Sequence, residues 1–348
     1  MQKIPISSHK NMVVFKSLKG GNYLSVAVFV VVACFLFFLS SYPVQKIGAP
    51  WLRKTQYGLE EEDLREVLLN ASMPDKTVIL TTLNEAWATP GSILDLFLES
   101  FHLGVGTSSL LNHLVIVAMD PKAFDRCNSV HKHCFFLKTP GVNFNSEKRF
   151  MSKDYLKLMW RRINFLRTVL ELGYNFVFTD ADIMWFRDPF PYLDAPDEIQ
   201  IACDFYNGNP KDEGNRPNGG FNFVRSNETT INFYKYWYMA RILHPNQHDQ
   251  AVFEMIRNDA MVAATGVRIK YLDTLYFGGF CQPSKDMNKV CAMHANCCVG
   301  IERKIYDLNL ILSDWKNFTA FPQGKEQGGN PSNKSPWTAP HKCKEGWN

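Results

Sequence analysis

The sequence lacks any block of basic residues, any internal repeat and any long tract of low complexity. Its 38 Lys and Arg residues are spread along 348 positions, and the formal net charge is only +4. A face that binds nucleic acid would need these charges clustered, so we predict no nucleic-acid partner. The hydrophobic share of 46% is ordinary for a globular chain, and the length suits one large domain or two smaller ones.

No acidic residue precedes Glu60, and residues 24–42 carry no charge of either sign. This uncharged segment, LSVAVFVVVACFLFFLSSY, is long enough to cross a hydrocarbon layer of about 30 Å at about 1.5 Å per residue. A cleaved signal peptide is the alternative, but its apolar core would be shorter, about 7–15 residues, and nearer the N-terminus. We therefore predict an uncleaved anchor at 24–42 and a cytosolic tail at 1–23, because the lysines before the anchor favour the cytosolic side.

The part of the chain after this anchor carries marks of an extracytoplasmic compartment. All four Asn-X-Ser/Thr sequons lie there, at Asn70, Asn227, Asn317 and Asn333. Eight of the nine cysteines lie there as well, at positions 127, 134, 203, 281, 291, 297, 298 and 343. An even number of cysteines in an oxidising lumen predicts disulfides, although eight cysteines allow 105 pairings.

Composition and periodicity divide the rest of the chain into three parts. Residues 43–73 contain prolines and a short acidic helical segment, and we expect a stem. Residues 323–348 are polar and rich in Gly and Pro, and we expect a loose tail. In the domain at 74–322, apolar runs of strand length alternate with helical patterns, which predicts an α/β fold with a largely parallel central sheet flanked by helices.

Within this domain, the segment FVFTDADIMWFRDP places two carboxylates, Asp180 and Asp182, inside an apolar run. The preceding residues predict a helix over 152–173 and then a strand over 174–179. Both carboxylates therefore fall at the carboxyl end of a strand, the edge at which open α/β sheets bind ligands. Two close carboxylates repel each other and are costly to bury unless a positive charge meets them. Oxygen ligands suit Mg²⁺ or Mn²⁺, so the pair predicts a metal site that would hold a diphosphate.

Four sequence blocks, taken together, are more specific than the acidic pair alone. FTDADIMWFRDPF, PNGGFNF, HDQ and MHANCC occur in this order, and over about residues 75–320 the chain resembles the plant nucleotide-diphospho-sugar transferase family. The resemblance implies a GT-A fold and a type II Golgi membrane protein whose single domain is lumenal. It also implies a retaining transfer from a UDP-sugar, with Mn²⁺ (or Mg²⁺) as cofactor.

This resemblance also implies a set of metal ligands. Asp182 would be the main ligand, Asp180 would contact the metal or the nucleotide, and His294 would complete the set. A structural histidine in a disulfide-rich loop is one alternative for His294. A zinc cluster is another, formed by Cys291, His294, Cys297 and Cys298. The irregular spacing of these residues and an oxidising compartment argue against zinc.

The catalytic residues implied by the resemblance are Asp249 and Gln250, which would lie beside the anomeric carbon. A helix cap at Asp249 is the alternative. Gly219 and Gly220 precede a strand and would let the backbone approach the sugar donor closely, although a tight turn would also use them.

Contacts to the nucleotide are expected from two further places. Thr82 and Asn84 end the first strand and are placed to meet the nucleoside. Arg161 and Arg162 lie on the helix before the metal-binding strand and could reach the diphosphate, with surface salt bridges as the alternative.

From these observations we predict a metal-dependent glycosyltransferase in the Golgi membrane. It would transfer a sugar from a UDP-sugar to a cell-wall polysaccharide or a hydroxyproline-rich glycoprotein. One alternative is a phosphohydrolase with Asp180 as phosphoryl acceptor and Asp182 as acid, which leaves the later motifs without a role. The other is a catalytically inactive lumenal protein that binds sugars or acts as a scaffold. Neither the donor sugar nor the oligomeric state is predicted.

Overall fold

A computed structural model of the chain describes residues 50–139, 148–149, 151–193, 196–320 and 337–344. The predicted cytosolic tail and the predicted anchor at 24–42 lie outside these ranges. Among the helices within them, none is both long enough and apolar enough to cross a membrane.

The strands of the described residues form two sheets, and their bounds match the apolar runs of the sequence. They are β1 Thr77–Leu83, β2 Leu114–Ala118, β3 Cys134–Phe136, β4 Asn175–Thr179, β5 Ile183–Trp185, β6 Ile199–Phe205, β7 Arg216–Val224, β8 Ile269–Tyr271, β9 Phe277–Gly279 and β10 Ala292–His294.

The larger sheet has the order β3-β2-β1-β4-β7-β6-β8, and the smaller one has the order β5-β10-β9. In the larger sheet, β3, β2, β1 and β4 are parallel neighbours, and so are β6 and β8. Strand β7 is antiparallel to both β4 and β6. The sheet is therefore mixed, and β6 runs in the same direction as β4, so their carboxyl ends lie at the same edge.

Helices cover the sheet and connect its strands. They are α1 Pro50–Ala71, α2 Glu85–Ala88, α3 Ile93–Leu103, α4 Pro121–Val130, α5 Lys153–Glu171, α6 Glu228–Ala240, α7 Asp249–Ile256, α8 Ala260–Thr265 and α9 Ile301–Ala320, with short 3₁₀ turns at Ser108–His113 and Phe190–Tyr192. The predicted helix over 152–173 is confirmed as α5. The Ser152 side chain caps its start by accepting a hydrogen bond from the Tyr155 amide, and Gly173 follows its end with a φ of 85°.

Two hydrophobic cores lie on opposite faces of the larger sheet, because successive side chains of a strand point to opposite faces. In β1, Ile79 belongs to one core while Val78 and Leu80 belong to the other. The first core also contains buried side chains of α3 and α9. The second contains those of α5, α6 and α7. The prediction of a sheet flanked by helices is therefore confirmed.

The predicted stem does not stop where the domain begins. Leu64, Leu68 and Ala71 of α1 are buried in the second core, so the last turns of this helix are part of the folded unit. That unit starts at Leu59 rather than at residue 74. The physical reason is that leucines four residues apart share one face of a helix, which packs on the sheet.

The predicted loose tail is wrong for its described part, residues 337–344. Trp337 is buried and stacks on Phe186, and its indole N–H donates to the Ser284 carbonyl. Buried Asp307 of α9 accepts backbone hydrogen bonds from His341 at 2.8 Å and from Cys343 at 2.7 Å. The polar composition of residues 337–344 therefore predicted a loose tail, although Trp337 and Asp307 hold this segment against the domain.

The disulfide prediction is confirmed for six cysteines and wrong for two. Cys127 pairs with Cys134, Cys281 with Cys297, and Cys298 with Cys343. Cys203 and Cys291 are free thiols, both buried. They are packed in the apolar cores, where a free cysteine serves as a small hydrophobic side chain.

The packing of α1 can be tested with two adjacent leucines. Leu68 is fully buried, whereas Leu69 is 66% exposed. We expect Leu68→Ala to lower the free energy of unfolding by about 2–5 kcal/mol, because it leaves a cavity in the core. Leu69→Ala should change it by no more than about 0.5 kcal/mol. Urea unfolding of the two variants gives the comparison, and equal stabilities would show that α1 is not part of the domain.

Candidate active site

The acidic pair lies in a tight turn between β4 and β5. The Asp180 amide donates to the Gly220 carbonyl at 2.6 Å, which continues the pairing of β4 with β7. The Ile183 amide then donates back to the Asp180 carbonyl at 3.2 Å. This turn removes the strict alternation of a strand, so Asp180 and Asp182 can face the same ligand.

The smaller sheet brings His294 to the acidic pair. Strand β10 is antiparallel to β5, and its register places His294 opposite Ile183, next to Asp182 in the chain. The Ala295 amide also donates to the Asp182 carbonyl at 3.0 Å. Residues 112 positions apart in the chain are thus held together by backbone hydrogen bonds, which makes the arrangement rigid.

The three predicted metal ligands converge. One ligand atom each from Asp180, Asp182 and His294 lies within 4.8 Å of the other two. His294 Nε2 is 3.3 Å from Asp182 Oδ1 and 3.9 Å from Asp180 Oδ2. Asp182 Oδ1 is buried and has no hydrogen-bond partner within the described part of the chain, which is costly for a carboxylate oxygen unless a ligand completes it. Two carboxylates and an imidazole are a suitable set for Mn²⁺, so the residues present fit this metal.

The two carboxylates have different electrostatic surroundings. Burial alone would raise the pKa of Asp182, but Lys304 and His294 outweigh burial and hold that pKa well below its usual range. Lys304, on α9, donates from Nζ to Asp182 Oδ2 and, at 3.1 Å, to the Ala295 carbonyl. Burial raises the pKa of Asp180, and the charge of Asp182 raises it further although Arg162 opposes both. The pKa values of the two carboxylates are therefore shifted in opposite directions.

Arg162 connects the acidic pair to the predicted catalytic pair. It is only 6% exposed, and its guanidinium donates to Asp180 Oδ1 at 2.8 Å and to Asp249 Oδ2 at 2.5 Å. Burial alone would lower the pKa of Arg162, but the two carboxylates raise it. Burial alone would likewise raise the pKa of Asp249, and Arg162 and His248 lower it. One buried cation is thus shared between two carboxylates, one on each side of it.

Asp249 is not the cap of its helix, because His248 holds the cap position and Asp249 is the first residue of α7. Gln250 follows it and bridges two groups. Its Oε1 accepts from the Gly219 amide at 3.1 Å, and its Nε2 donates to Asp204 Oδ2 at 3.2 Å. The predicted catalytic pair and the predicted glycine pair are therefore in contact.

Gly220 lies against the acidic pair. A Cβ atom at this position would come within 2.5 Å of His294 Cε1 and 2.7 Å of Asp180 Oδ2, distances that no real Cβ tolerates. At Gly219 a Cβ would meet nothing within 4 Å. Of the two glycines, only Gly220 has no room for a side chain, and its lack of one allows the backbone to approach the candidate ligands.

Of the four residues predicted to contact the nucleotide, three lie near the acidic pair and one, Arg161, does not. Thr82 and Asn84 lie at the carboxyl end of β1, next to β4 in the sheet, and Asn84 is buried. Arg161 instead donates to Thr139 at 3.3 Å and to the Lys138 carbonyl at 3.0 Å. It also lies 3.6 Å from Glu60. The surface salt bridge is therefore the better description of Arg161, whereas Arg162, one residue later on the helix, points to the carboxylates.

The zinc alternative is contradicted by the pairing of two of its ligands. Cys297 is bonded to Cys281 and Cys298 to Cys343, so neither sulfur is available as a thiolate. These disulfides anchor the segment after His294 to two other parts of the chain.

Sequence reasoning missed two polar residues of the site, Lys304 and Asp204. Lys304 is one of many lysines, and no local pattern distinguishes it. Asp204 could have been found, because it lies near the carboxyl end of β6, which runs in the same direction as β4. The rule that identified Asp180 applies to Asp204 as well.

Comparison with known proteins identifies the family. The family model described as nucleotide-diphospho-sugar transferase matches residues 109–308, more than half of the chain. The chain belongs to the nucleotide-diphospho-sugar transferase family. It is therefore a glycosyltransferase, as the four sequence blocks predicted, and the phosphohydrolase alternative is wrong.

Relatives of this nucleotide-diphospho-sugar transferase occur in plants. An uncharacterised protein of Arabidopsis thaliana is 50% identical over 291 residues, which cover 82% of this chain and 76% of the relative. The Arabidopsis thaliana protein named UDP-D-xylose:L-fucose alpha-1,3-D-xylosyltransferase MGP4 is 25% identical over 63% of this chain and 67% of its own length. Among solved structures, a glycosyltransferase involved in the glycosylation of the major capsid of PBCV-1 is 12% identical with a TM-score of 0.42, and the match covers 67% of this chain and 98% of that one. The assignment to GT-A stays a prediction.

The two glycines give a matched test of the candidate metal ligands in this transferase. We expect Gly220→Ala to displace His294 or Asp180 and so to raise the Mn²⁺ concentration needed for thermal stabilisation by about tenfold or more, since a second-shell change typically costs 10–100-fold in metal affinity. Gly219→Ala adds no contact near the ligands and should bind Mn²⁺ as the native protein does. Thermal unfolding over a Mn²⁺ series measures both. Equal Mn²⁺ dependence of the two variants would contradict the assignment of the ligands.

Proposed function

We propose that this enzyme transfers a sugar from a UDP-sugar to a glycan acceptor, with Mn²⁺ held by Asp180, Asp182 and His294. The observation that carries the proposal is the convergence of two carboxylates and an imidazole at the carboxyl end of β4. Asp182 Oδ1 is buried there without a hydrogen bond from any described residue, as expected for an oxygen that a cation completes. The bound metal would supply Lewis-acid stabilisation for the charge of the departing UDP.

The protein's own residues have separate roles in this proposal. Arg162 fixes Asp180 and Asp249 relative to each other by a hydrogen bond to each. Lys304 keeps Asp182 ionised and oriented. Gln250 and Gly219 form the wall on which the sugar would lie. Each group is held by backbone or ionic contacts before any substrate arrives, which is the preorganisation that electrostatic catalysis requires.

Retention of configuration has two routes, same-face attack by the acceptor or a covalent intermediate on a carboxylate. The surroundings of Asp249 favour same-face attack. Its side chain is nearly fully buried, and Oδ2 is bound to the Arg162 guanidinium at 2.5 Å. The oxygen that accepts from Arg162 is less available as a nucleophile, so Asp249 serves better as a fixed negative charge near the anomeric carbon.

The donor and the acceptor are proposed from the relatives. One relative is named as a xylosyltransferase that uses UDP-D-xylose, so UDP-xylose is the first donor to test. A cell-wall polysaccharide or a hydroxyproline-rich glycoprotein is the proposed acceptor. We further propose that residues 24–42 anchor the enzyme in the Golgi membrane with its domain in the lumen. Three disulfides support such an oxidising compartment.

The proposal is tested by a donor screen on the full-length protein in detergent. UDP-xylose, UDP-arabinose and UDP-galactose are each supplied with plant glycan acceptors and Mn²⁺, and UDP release and acceptor labelling are measured. Transfer from one of them is the expected result. Binding of a UDP-sugar without turnover would instead support the inactive sugar-binding alternative.

The metal requirement is tested by Asp182→Asn. We expect transfer to fall by at least about 100-fold, because removal of one group that stabilises charge in the transition state costs about 10²–10³. The matched control is Asp212→Asn, an exposed aspartate in the loop before β7. Transfer rates over a Mn²⁺ series measure both variants, and a cooperative unfolding transition checks that each is folded. Full activity of Asp182→Asn would refute the assignment.

A further inference from the structure

Asp204 is a carboxylate of the site to which no role has been assigned. It is the second-last residue of β6, it is half-buried, and it lies at the same sheet edge as Asp180. Three side-chain amides from different parts of the chain donate to it. Asn218 of β7 donates to Oδ1 at 2.7 Å and Asn296, which follows β10, donates to Oδ1 at 2.8 Å. Gln250 of α7 donates to Oδ2 at 3.2 Å.

A carboxylate accepts hydrogen bonds and cannot donate them when ionised, so it determines which end of each amide faces it. The NH₂ groups of all three amides must point to Asp204, and their carbonyl oxygens must point away. Each carbonyl oxygen then accepts a backbone N–H. Asn218 Oδ1 accepts from Gly220 at 2.8 Å, Gln250 Oε1 from Gly219 at 3.1 Å, and Asn296 Oδ1 from Cys281 at 3.1 Å.

Two of these backbone N–H groups, those of Gly219 and Gly220, lie where the regular pairing of β6 and β7 is interrupted. The register between β6 and β7 shifts between Ile201 and Cys203, and again between Cys203 and Phe205. Opposite these shifts, the amides of Gly219 and Gly220 are satisfied by side chains. The positions of Gly219 and Gly220 beside the candidate metal ligands therefore depend on the side-chain amides of Asn218 and Gln250. The orientation of these two amides depends in turn on the Asp204 carboxylate.

We propose that Asp204 is a positioning residue for sugar transfer, because it fixes the amide of Gln250 with its carbonyl on Gly219 and its NH₂ on the carboxylate. With one orientation of the Gln250 amide, the donor and acceptor groups that Gln250 and Gly219 present to the sugar keep fixed positions. The role in transfer rests on the proposed function, whereas the control of amide orientation does not.

The orientation is tested by Asp204→Asn, which keeps the shape and replaces one oxygen by NH₂. Asn218 and Asn296 both donate to Oδ1, so the carbonyl oxygen of the introduced asparagine should occupy the Oδ1 position. The NH₂ group of that asparagine should then face Gln250. Two NH₂ groups cannot bond each other, so Gln250 must turn, and the Gly219 amide loses its acceptor. We expect the hydrogen exchange of Gly219 to accelerate by about tenfold or more, the equivalent of one lost hydrogen bond, while Gly220 keeps its protection.

Asp212→Asn is the matched control for this exchange experiment. Asp212 also accepts a backbone hydrogen bond from a glycine, Gly214, at 2.7 Å, but it lies in an exposed turn. This variant should leave the exchange of Gly219 unchanged. Unchanged exchange of Gly219 in Asp204→Asn would overturn the proposal, and so would equal acceleration across the whole sheet, which would indicate general destabilisation.

The role in transfer is tested by a double-mutant cycle with Gln250→Ala. If Asp204 acts through Gln250, Asp204→Asn should lower kcat about tenfold with little change in KM for the UDP-sugar. In the variant that already lacks Gln250, the same change should have no further effect on kcat. If the fold-loss of kcat in the double variant equals the product of the two single fold-losses, Asp204 acts independently of Gln250. That result would overturn the positioning role. Absence of transfer in the native protein would instead refute the proposed function, and the exchange experiment would still decide the amide orientation.

Discussion

The site depends on the repulsion between two carboxylates one residue apart, Asp180 and Asp182, at the tip of a buried strand. Neither can be exposed to solvent fully, because β5 and β10 continue into the core on one side and α5 covers the other. Two cations and an imidazole meet them from three elements. Arg162 comes from α5, Lys304 from α9 and His294 from β10. Without these contacts the cost of burying two charges would disrupt the fold at this point.

The negative charges of Asp180 and Asp182 are only partly balanced by these groups, and this partial balance makes the cluster a candidate cation site. Lys304 satisfies Asp182 Oδ2. Among the residues that the structure describes, Asp182 Oδ1 faces His294 at 3.3 Å and accepts no hydrogen bond. Arg162 is shared between Asp180 and Asp249, so it cannot neutralise either of them alone. A region with excess negative charge therefore remains between Asp180 and His294, next to a glycine whose missing side chain leaves space. A dication fits this charge and this space.

Much of the fold was predictable because its elements have local causes. The period of 3.6 residues identified α5 and an apolar run of strand length identified β4, each to within about two residues of its bounds, and the end of that run identified Asp180 and Asp182. The residues that sequence reasoning missed or misplaced depend on contacts far apart in the chain. Lys304 reaches Asp182 across 122 positions. Trp337 and Asp307 hold a segment whose composition predicts a loose tail. Arg161 and Arg162 differ only in the face of α5 that each occupies, and sequence alone did not distinguish them.

The central claim is that the acidic pair and His294 hold a divalent metal together with the diphosphate of a nucleotide. The most direct measurement is anomalous diffraction from crystals of the protein grown with Mn²⁺ and UDP. The account predicts a manganese peak in direct contact with Asp182 and His294 and with the diphosphate oxygens. A bound UDP without manganese at these residues, with the Lys304 ammonium still the sole partner of Asp182 Oδ2 and Oδ1 still unpaired, would contradict it.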